Sequence, residues 1–489
     1  MTPLLLAPIL VPLIAAAITV VAGWRRCTAT LTVLSALTIL GCGVTLAFRV
    51  GSNPHVLAGG LLRADALTVV MLIVIGAVGT LSTGAGIGYI NAELDNGHTD
   101  PAGARLYGTL IPGFLAAMVV AVSANNIGVI WVAIEATTVI TAFLVGHRRT
   151  RTSLEATWKY VIICSVGIAM AFLGTILLYF AAQHAGADSS HALDLDVLIS
   201  HAGVLDPGVT RLAGGLLLIG YGAKVGLAPF HTWLADAHSQ APAPVSALMS
   251  GVLLAVAFSV LLRIKPVIDI AVGPEFLRWG LLTVGLATVA IAALLLTVTN
   301  DLKRMLAYSS MENMGLITIA AAAGTTLAIA ALLLHVLAHG IGKTVLFLAS
   351  GQLQAAHGST AIPDITGVIR RSRLTGGSFA IGMLVLLGLP PFAMFASELS
   401  IARAMVDVQL AWPLAAVLLL ILIAFAALVR NSGQLLLGTP AAGSPPIAVP
   451  VTVAAALLVG VATCFALGVS AGSLTGLLHT AAEQLGVPR

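Results

Sequence analysis

Fourteen apolar runs, each long enough to cross a lipid bilayer as a helix, recur along this chain, and no other feature limits its fold so severely. A bilayer core of about 30 Å needs roughly 20 apolar residues in helix. The runs fall near residues 3–23, 28–48, 65–90, 106–123, 125–146, 154–182, 211–233, 243–262, 276–298, 305–323, 326–352, 377–405, 411–430 and 446–470, with Gly324-Thr-Thr alone dividing the tenth from the eleventh. Backbone groups in hydrocarbon must be satisfied within a segment or a closed barrel, and unbroken runs lack a barrel's alternation of about ten residues per strand. The expectation is an all-α polytopic membrane protein of about 14 transmembrane helices.

Composition agrees. Charged residues are 9% of the 489, against about 25% in a globular chain, too few to cover a water-facing exterior of this size. The basic residues stand singly or in small groups, which excludes a nucleic-acid-binding tract. Cys27, Cys42, Cys164 and Cys464 lie far apart with no CxxC, so no zinc ribbon, iron–sulfur ligand set or disulfide frame is written here. Any redox centre is expected in another chain. Met1-Thr-Pro-Leu lacks a basic region and no small-residue cleavage site follows it, so residues 3–23 read as a retained helix and not as a signal peptide.

Orientation follows from basic residues at alternate loops. With the N-terminus outside, twelve lie at cytoplasmic ends, including Arg25-Arg26, Arg148-Arg149, Lys303-Arg304 and the Arg370, Arg371, Arg373 group, against eight, Arg489 among them, at outer ends. Both termini are expected on the outer side.

Two helices are interrupted at comparable places. The seventh run reads GYGAKVGLAPFHTWL, with Gly226 and Pro229 after Lys224, and the twelfth reads LLGLPPFAMFASELSI, with Pro390-Pro391 before Glu398. Proline removes a helix hydrogen bond, and in lipid the freed groups must face protein or water. Helices 4–8 and 9–13 then read as two five-helix repeats, inverted because each holds an odd number of helices, with the breaks near the sites; simple proline kinks are the alternative. The domains expected are 1–104 (three peripheral helices), 105–270 (first repeat), 271–435 (second repeat) and 436–489 (last helix and short tail).

Ionisable groups far from helix ends are few, and a charge at the bilayer centre costs about 2.5 kcal/mol or more, so such groups usually serve function. Glu135 lies ten residues into the fifth run, Lys224 precedes the seventh-helix break, His335, His339 and Lys343 fall in the eleventh, Glu398 follows the twelfth-helix break and Glu312 lies in the tenth. The i, i+4, i+8 trio forms a ladder on one helix face. It suits proton transfer; the competing readings are interhelical packing, a metal site, which lacks a third ligand, and bis-histidine haem, which needs opposing helices. Glu135 and Lys224 form the natural acid–base pair, either a static salt bridge or a proton-ejecting couple. One charge crossing about 200 mV costs roughly 4.6 kcal/mol, or three to four units of pKa at about 1.4 kcal/mol each, within what burial and pairing deliver. Lys159, with Glu155 one turn before it, is either a further member or an anchor at the helix end.

These residues, in this order, resemble the proton-conducting antiporter-like family: the large membrane-arm subunits of respiratory complex I, the Mrp-type cation/proton antiporters and the matching subunits of membrane-bound group 4 hydrogenases. The similarity rests on KVGLAPFHTWLADAHSQAPAPVSAL (224–248), NDLKRMLAYSSMENMGLI (300–317), HVLAHGIGKTVLFLASG (335–351) and GLPPFAMFASELSI (388–401), with 125–160, and spans most of 105–430. Among the branches the chain looks most like the F-type membrane subunit of hydrogenase-4 and formate hydrogenlyase.

The resemblance implies that Glu135 and Lys224 form the input pair, that Lys343 with His335 and His339 is the central relay, and that Glu398 exchanges protons with the other side. His231 and Asp236 belong to the signature after the seventh-helix break, positioning the loop or admitting protons. One departure stands out. Complex I relatives generally carry Lys or His in the eighth helix, whereas GVLLAVAFSVLLR offers Ala255, leaving Ser250 or water to bridge. The segment after residue 470 lacks the long lateral helix of the largest complex I subunit.

The function expected is a proton-translocating membrane subunit, with Na⁺ as the alternative ion, in the cytoplasmic membrane. It would serve a hydrogenase-like or complex I-like oxidoreductase, carry no cofactor or metal of its own, and depend on other membrane-arm subunits and a peripheral Fe–S, NiFe or flavin module. A secondary Mrp-type antiporter and a transport-inactive scaffold are the rivals.

Overall fold

The computed structural model describes residues 1–440 and 447–486. In chain order the elements are α1 (Thr2–Ala22), α2 (Arg26–Ala47), a hairpin of β1 (His55–Leu57) and β2 (Leu62–Ala64), α3 (Ala66–Asp95), α4 (Pro101–Ser123), α5 (Ile127–Val145), α6 (Arg151–His184), α7 (Leu195–His201), α8 (Pro207–Val225), α9 (Thr232–Gln240), α10 (Ala243–Leu248), α11 (Leu254–Val272), α12 (Pro274–Val298), α13 (Leu302–Ala323), α14 (Thr326–His357), α15 (Val368–Arg371), α16 (Arg373–Leu386), α17 (Ala393–Asp407), α18 (Ala411–Leu437) and α19 (Val451–Gln484). A π-helical turn, Met249–Leu253, joins α10 to α11 as one rod.

Each of the fourteen expected crossings falls on helix. Among the described residues eleven helices are long and apolar enough to span a membrane by themselves, the α10–α11 rod counting as one. The other three crossings are the broken pairs α8–α9 and α16–α17, and α13, whose 22 residues carry Lys303, Arg304 and Glu312. The last run was expected to begin at residue 446, which lies outside the described residues, as do 441–445 and 487–489 of the 436–489 segment. Its helix, α19, continues past 470 to Gln484, so most of the stretch read as a tail is helical.

Helix starts are written locally. Asp65, Asp100, Asn126, Thr150, Asp206, Asp301 and Thr325 each accept a backbone N–H of the helix that follows, satisfying donors that a first turn leaves free. The α13/α14 division falls at the expected Gly324-Thr325, with Gly324 at φ 62° closing one helix and Thr325 capping the next at 3.1 Å.

Bulky apolar side chains such as Phe48, Trp158, Leu422 and Leu437 point outward, as a lipid-facing surface requires. At the centre stand the α10–α11 rod and α14, buried almost throughout. Gly251 on the π-turn lies against Gly340 of α14, where an added Cβ would meet the Gly340 carbonyl at 2.9 Å. That close approach falls between His339 and Lys343. On α14 also pack α3, α13, α16, α17 and α19.

Candidate functional site

Both interruptions are built to hold a charge. At the first, α8 ends at Gly226 and the freed carbonyl of Ala223 accepts the Trp233 indole N–H at 2.9 Å, while the Ala228 N–H donates to Thr288 Oγ1 on α12 at 2.9 Å. Protein groups thus replace the lost helix bonds. Lys224, in the last turn of α8, is wholly buried. Its ammonium donates to Thr138 Oγ1 at 2.8 Å and to Tyr160 OH at 2.5 Å, and lies 4.8 Å from the Tyr160 ring centroid. Tyr160 OH in turn shares a 2.5 Å hydrogen bond with Thr141.

Glu135 and Lys224 do not form a salt bridge in this conformation. Thr138, one turn from Glu135 on α5, takes the ammonium instead, and Glu135 Oε2 is buried without a hydrogen-bond partner. Glu135 and Thr138 both line a cavity of about 600 Å³ between α4, α5 and α6, so the carboxylate and the lysine's partner face the same space.

The second half repeats the arrangement. Lys343 on α14, wholly buried, donates to the Leu306 carbonyl at 2.7 Å and to the Ser309 hydroxyl of α13. Ser309 stands one turn from Glu312. Ser310, its neighbour, shares a 2.6 Å hydrogen bond with Ser250 of the π-turn, so Ser250 reaches the residue beside the Lys343 partner. Such π-turns occur frequently at functional sites.

The histidine ladder climbs α14 from there. The His335 and His339 rings stack with centroids 6.4 Å apart; His339 Nε2 is buried without a hydrogen-bond partner. His335 joins Ser397 Oγ of α17 through Nδ1 at 2.9 Å and Asn313 Oδ1 of α13 through Nε2 at 2.8 Å, so it also cross-links helices. Asn313 and Ser397 directly adjoin Glu312 and Glu398 in the chain, and these two glutamates line one cavity of about 20 Å³, room for a single water. The second break shapes that place: Gly388, at φ 59°, lies where an added Cβ would fall 2.2 Å from Glu398 Oε2, so only glycine lets the carboxylate sit there.

Other expected residues fall elsewhere. Lys159, half-exposed, pairs with Glu155 at 2.8 Å and Asp236 at 3.0 Å, and Arg304 also pairs with Asp236. Lys159 and Asp236 thus form an ion cluster at the bundle end, off the central row. His231 precedes the first turn of α9, its Nδ1 buried without a partner. Lys303, expected at a cytoplasmic end, lies in the first turn of α13 and is buried there, donating to the Ala241 carbonyl at 2.7 Å. Among the described residues no three His, Cys, Asp or Glu side chains converge as metal ligands.

Sequence reasoning passed over His238. Wholly buried on α9, it donates from Nδ1 to the Leu234 carbonyl at 2.7 Å, while its Nε2 is buried and unpartnered. Its ring packs between Trp233, at 6.1 Å, and Phe347, at 6.0 Å, and Trp233 packs on Tyr160 at 4.9 Å. Phe347 stands one turn from Lys343 on α14. The signal was present: Trp233, Leu234, Ala237 and His238 form a buried stripe at helical spacing.

Fold and site together define a helical membrane protein with a group of ionisable side chains buried in its interior. Residues 124–424 match the family described as NADH:quinone oxidoreductase/Mrp antiporter, TM, and the chain belongs to that family of antiporter-like membrane subunits. A hydrogenase-4 component F homolog of Methylacidiphilum infernorum is 38% identical over 393 residues, 80% of this chain and 82% of the relative. Hydrogenase-4 component B of Escherichia coli is 28% identical over 90% of this chain and 67% of its own length. The fold is shared with a chain of the archaeal membrane-bound sulfane sulfur reductase (TM-score 0.88, 24% identity, 98% of each chain) and with a chain of the Mrp complex from Dietzia sp. DQ12-45-1b (TM-score 0.86, 20% identity, covering 99% of this chain and 98% of that one).

Proposed function

We propose that this protein carries protons across the cytoplasmic membrane as a subunit of a hydrogenase-like or complex I-like oxidoreductase. The observation that carries the reading is the buried row Lys224, His238, Lys343, His339 and His335, each at most 3% exposed, ending beside the cavity shared by Glu312 and Glu398. Burying so many ionisable groups at the centre of a membrane protein is costly unless they serve a pathway.

Protons would enter at Glu135, whose cavity also reaches Thr138, pass to Lys224, and leave at Glu398. Between Lys224 and Lys343 the eighth helix offers Ala255; His238 and the Ser250–Ser310 contact support a bridge there. Movement of Glu135 toward or away from Lys224 would bias that lysine's proton. Two five-helix units, 105–270 and 271–435, fit the packing, since α6 lies against both halves of the first broken helix and α14 against both halves of the second. The chain would carry no cofactor or metal and take its driving force from other membrane subunits and a peripheral Fe–S, NiFe or flavin module, with both termini on the outer side. The hydrogenase-4 relatives favour this over an antiporter driven by ion gradients alone.

In vesicles holding the whole complex, Lys224→Ala should abolish proton uptake coupled to electron transfer while the complex stays assembled. Undiminished uptake would remove the proposal.

A further inference from the structure

At the bundle end where α3 begins and α11 finishes, a cavity of about 380 Å³ is lined by Arg63, Asp65, Arg263, Lys265, Asp269 and Arg278, with apolar walls. Its floor is a buried cluster. Asp65 takes Arg63 Nε at 2.7 Å and two nitrogens of Arg263 at 2.6 and 3.1 Å; Arg263 also donates to Thr68 Oγ1 at 2.7 Å and to the Val122 carbonyl at 2.9 Å. Arg63, Asp65 and Arg263 are 6%, 3% and 4% exposed.

Among the described residues the charges do not balance. Two guanidiniums share one carboxylate, and the other acid of the lining, Asp269, is taken by Lys265. Arg278 pairs outward with Glu275 at 3.1 Å. Arg263 Nε is buried with no hydrogen-bond partner, and among the described residues the terminal nitrogens of Arg63 bond to no protein group. A buried excess of positive charge calls for an anion, and planar guanidiniums suit a phosphate. The cavity sits at the ends of membrane-length helices, and Ile199 and Ile270 in its lining are exposed.

We propose that this cavity binds the phosphate group of an anionic phospholipid, whose acyl chains leave over Ile199 and Ile270. The site is separate from the central row, so it stands or falls independently of proton transport.

The test uses the full chain in nanodiscs of phosphatidylcholine with or without phosphatidylglycerol, reading retained lipid by native mass spectrometry and Tm by thermal melting. Phosphatidylglycerol should be retained and raise Tm. Arg63→Gln should weaken retention about tenfold and remove the rise, whereas Arg63→Lys, which keeps the charge but not the planar fork, should weaken retention by a smaller factor. Should Arg63→Gln fail to fold, Arg278→Gln at the partly exposed mouth tests the same field and should lower retention by a smaller factor. Equal retention in the wild type and the folded variants would overturn the proposal. So would inorganic phosphate reproducing the Tm rise in phosphatidylcholine discs, which would make the site one for a free anion.

Discussion

Lys224 is held by Thr138 at 2.8 Å, one turn from Glu135 on α5. The second half repeats the relationship with Lys343 and Ser309, one turn from Glu312 on α13. In both, the hydroxyl is displaced from its glutamate toward the bundle end where α5 finishes and α13 begins. Each lysine therefore rests on a neutral acceptor that stands one turn from an acid on the same helix.

Removing the hydroxyl should expose that role. Thr138→Val and Ser309→Ala each leave a buried ammonium short of an acceptor, which costs about 1–3 kcal/mol. Proton flux in vesicles should fall roughly tenfold, with Thr138→Ser near wild type. Flux unchanged in both deletions would show that the hydroxyls are only structural.

His238→Gln should slow proton transfer between the two lysines about tenfold or more, because glutamine fills the space and hydrogen-bonds but does not titrate near neutral pH. Ala255→His, restoring an ionisable group on the eighth helix, should recover part of the loss. Rapid flux in His238→Gln would assign the crossing to water or to the Ser250–Ser310 contact.

Gly388→Ala should displace Glu398, since the added Cβ would lie 2.2 Å from its carboxylate at a backbone φ of 59°. The expected loss is about 1 kcal/mol or more of stability, read by thermal melting, and a larger proportional loss of flux. A variant that melts lower but transports normally would separate Glu398 from the pathway.

Asp65, at the N-cap of α3, predicts an acid sensitivity. Burial would raise its carboxyl, but Arg263 and Arg63 outweigh burial and hold it well below the ordinary carboxylate range. A depressed folded value means the stabilisation is complete above the ordinary carboxylate range and is lost only as pH falls below it. Asp65→Asn should destabilise the chain by about 3–5 kcal/mol at neutral pH and blunt its further loss of stability in acid, measured by melting against pH. Equal pH profiles would contradict the assignment.

The fold was legible because apolar runs of bilayer length leave few alternatives, and both breaks were legible because proline cannot complete a helix. Lys224, Lys343, His335 and His339 stood out against their apolar surroundings, and all four lie buried at the centre. What periodicity could not supply was pairing between helices. Glu135 and Lys224 look like ion partners, yet the ammonium rests on Thr138, a hydroxyl common enough in membrane helices to attract no notice. Lys303 and Arg304 both stand at the start of α13, but on a helix adjacent residues point to different sides, and Lys303 turns inward while Arg304 meets Asp236 at the surface. His238 was hidden inside a signature whose other polar residues drew attention first.

The central claim is that protons cross through Lys343. In inside-out vesicles holding the whole complex, proton uptake per electron transferred should fall to background in Lys343→Ala and persist in part in Lys343→Arg, with electron transfer continuing in both. Uptake per electron equal to wild type in Lys343→Ala would contradict it.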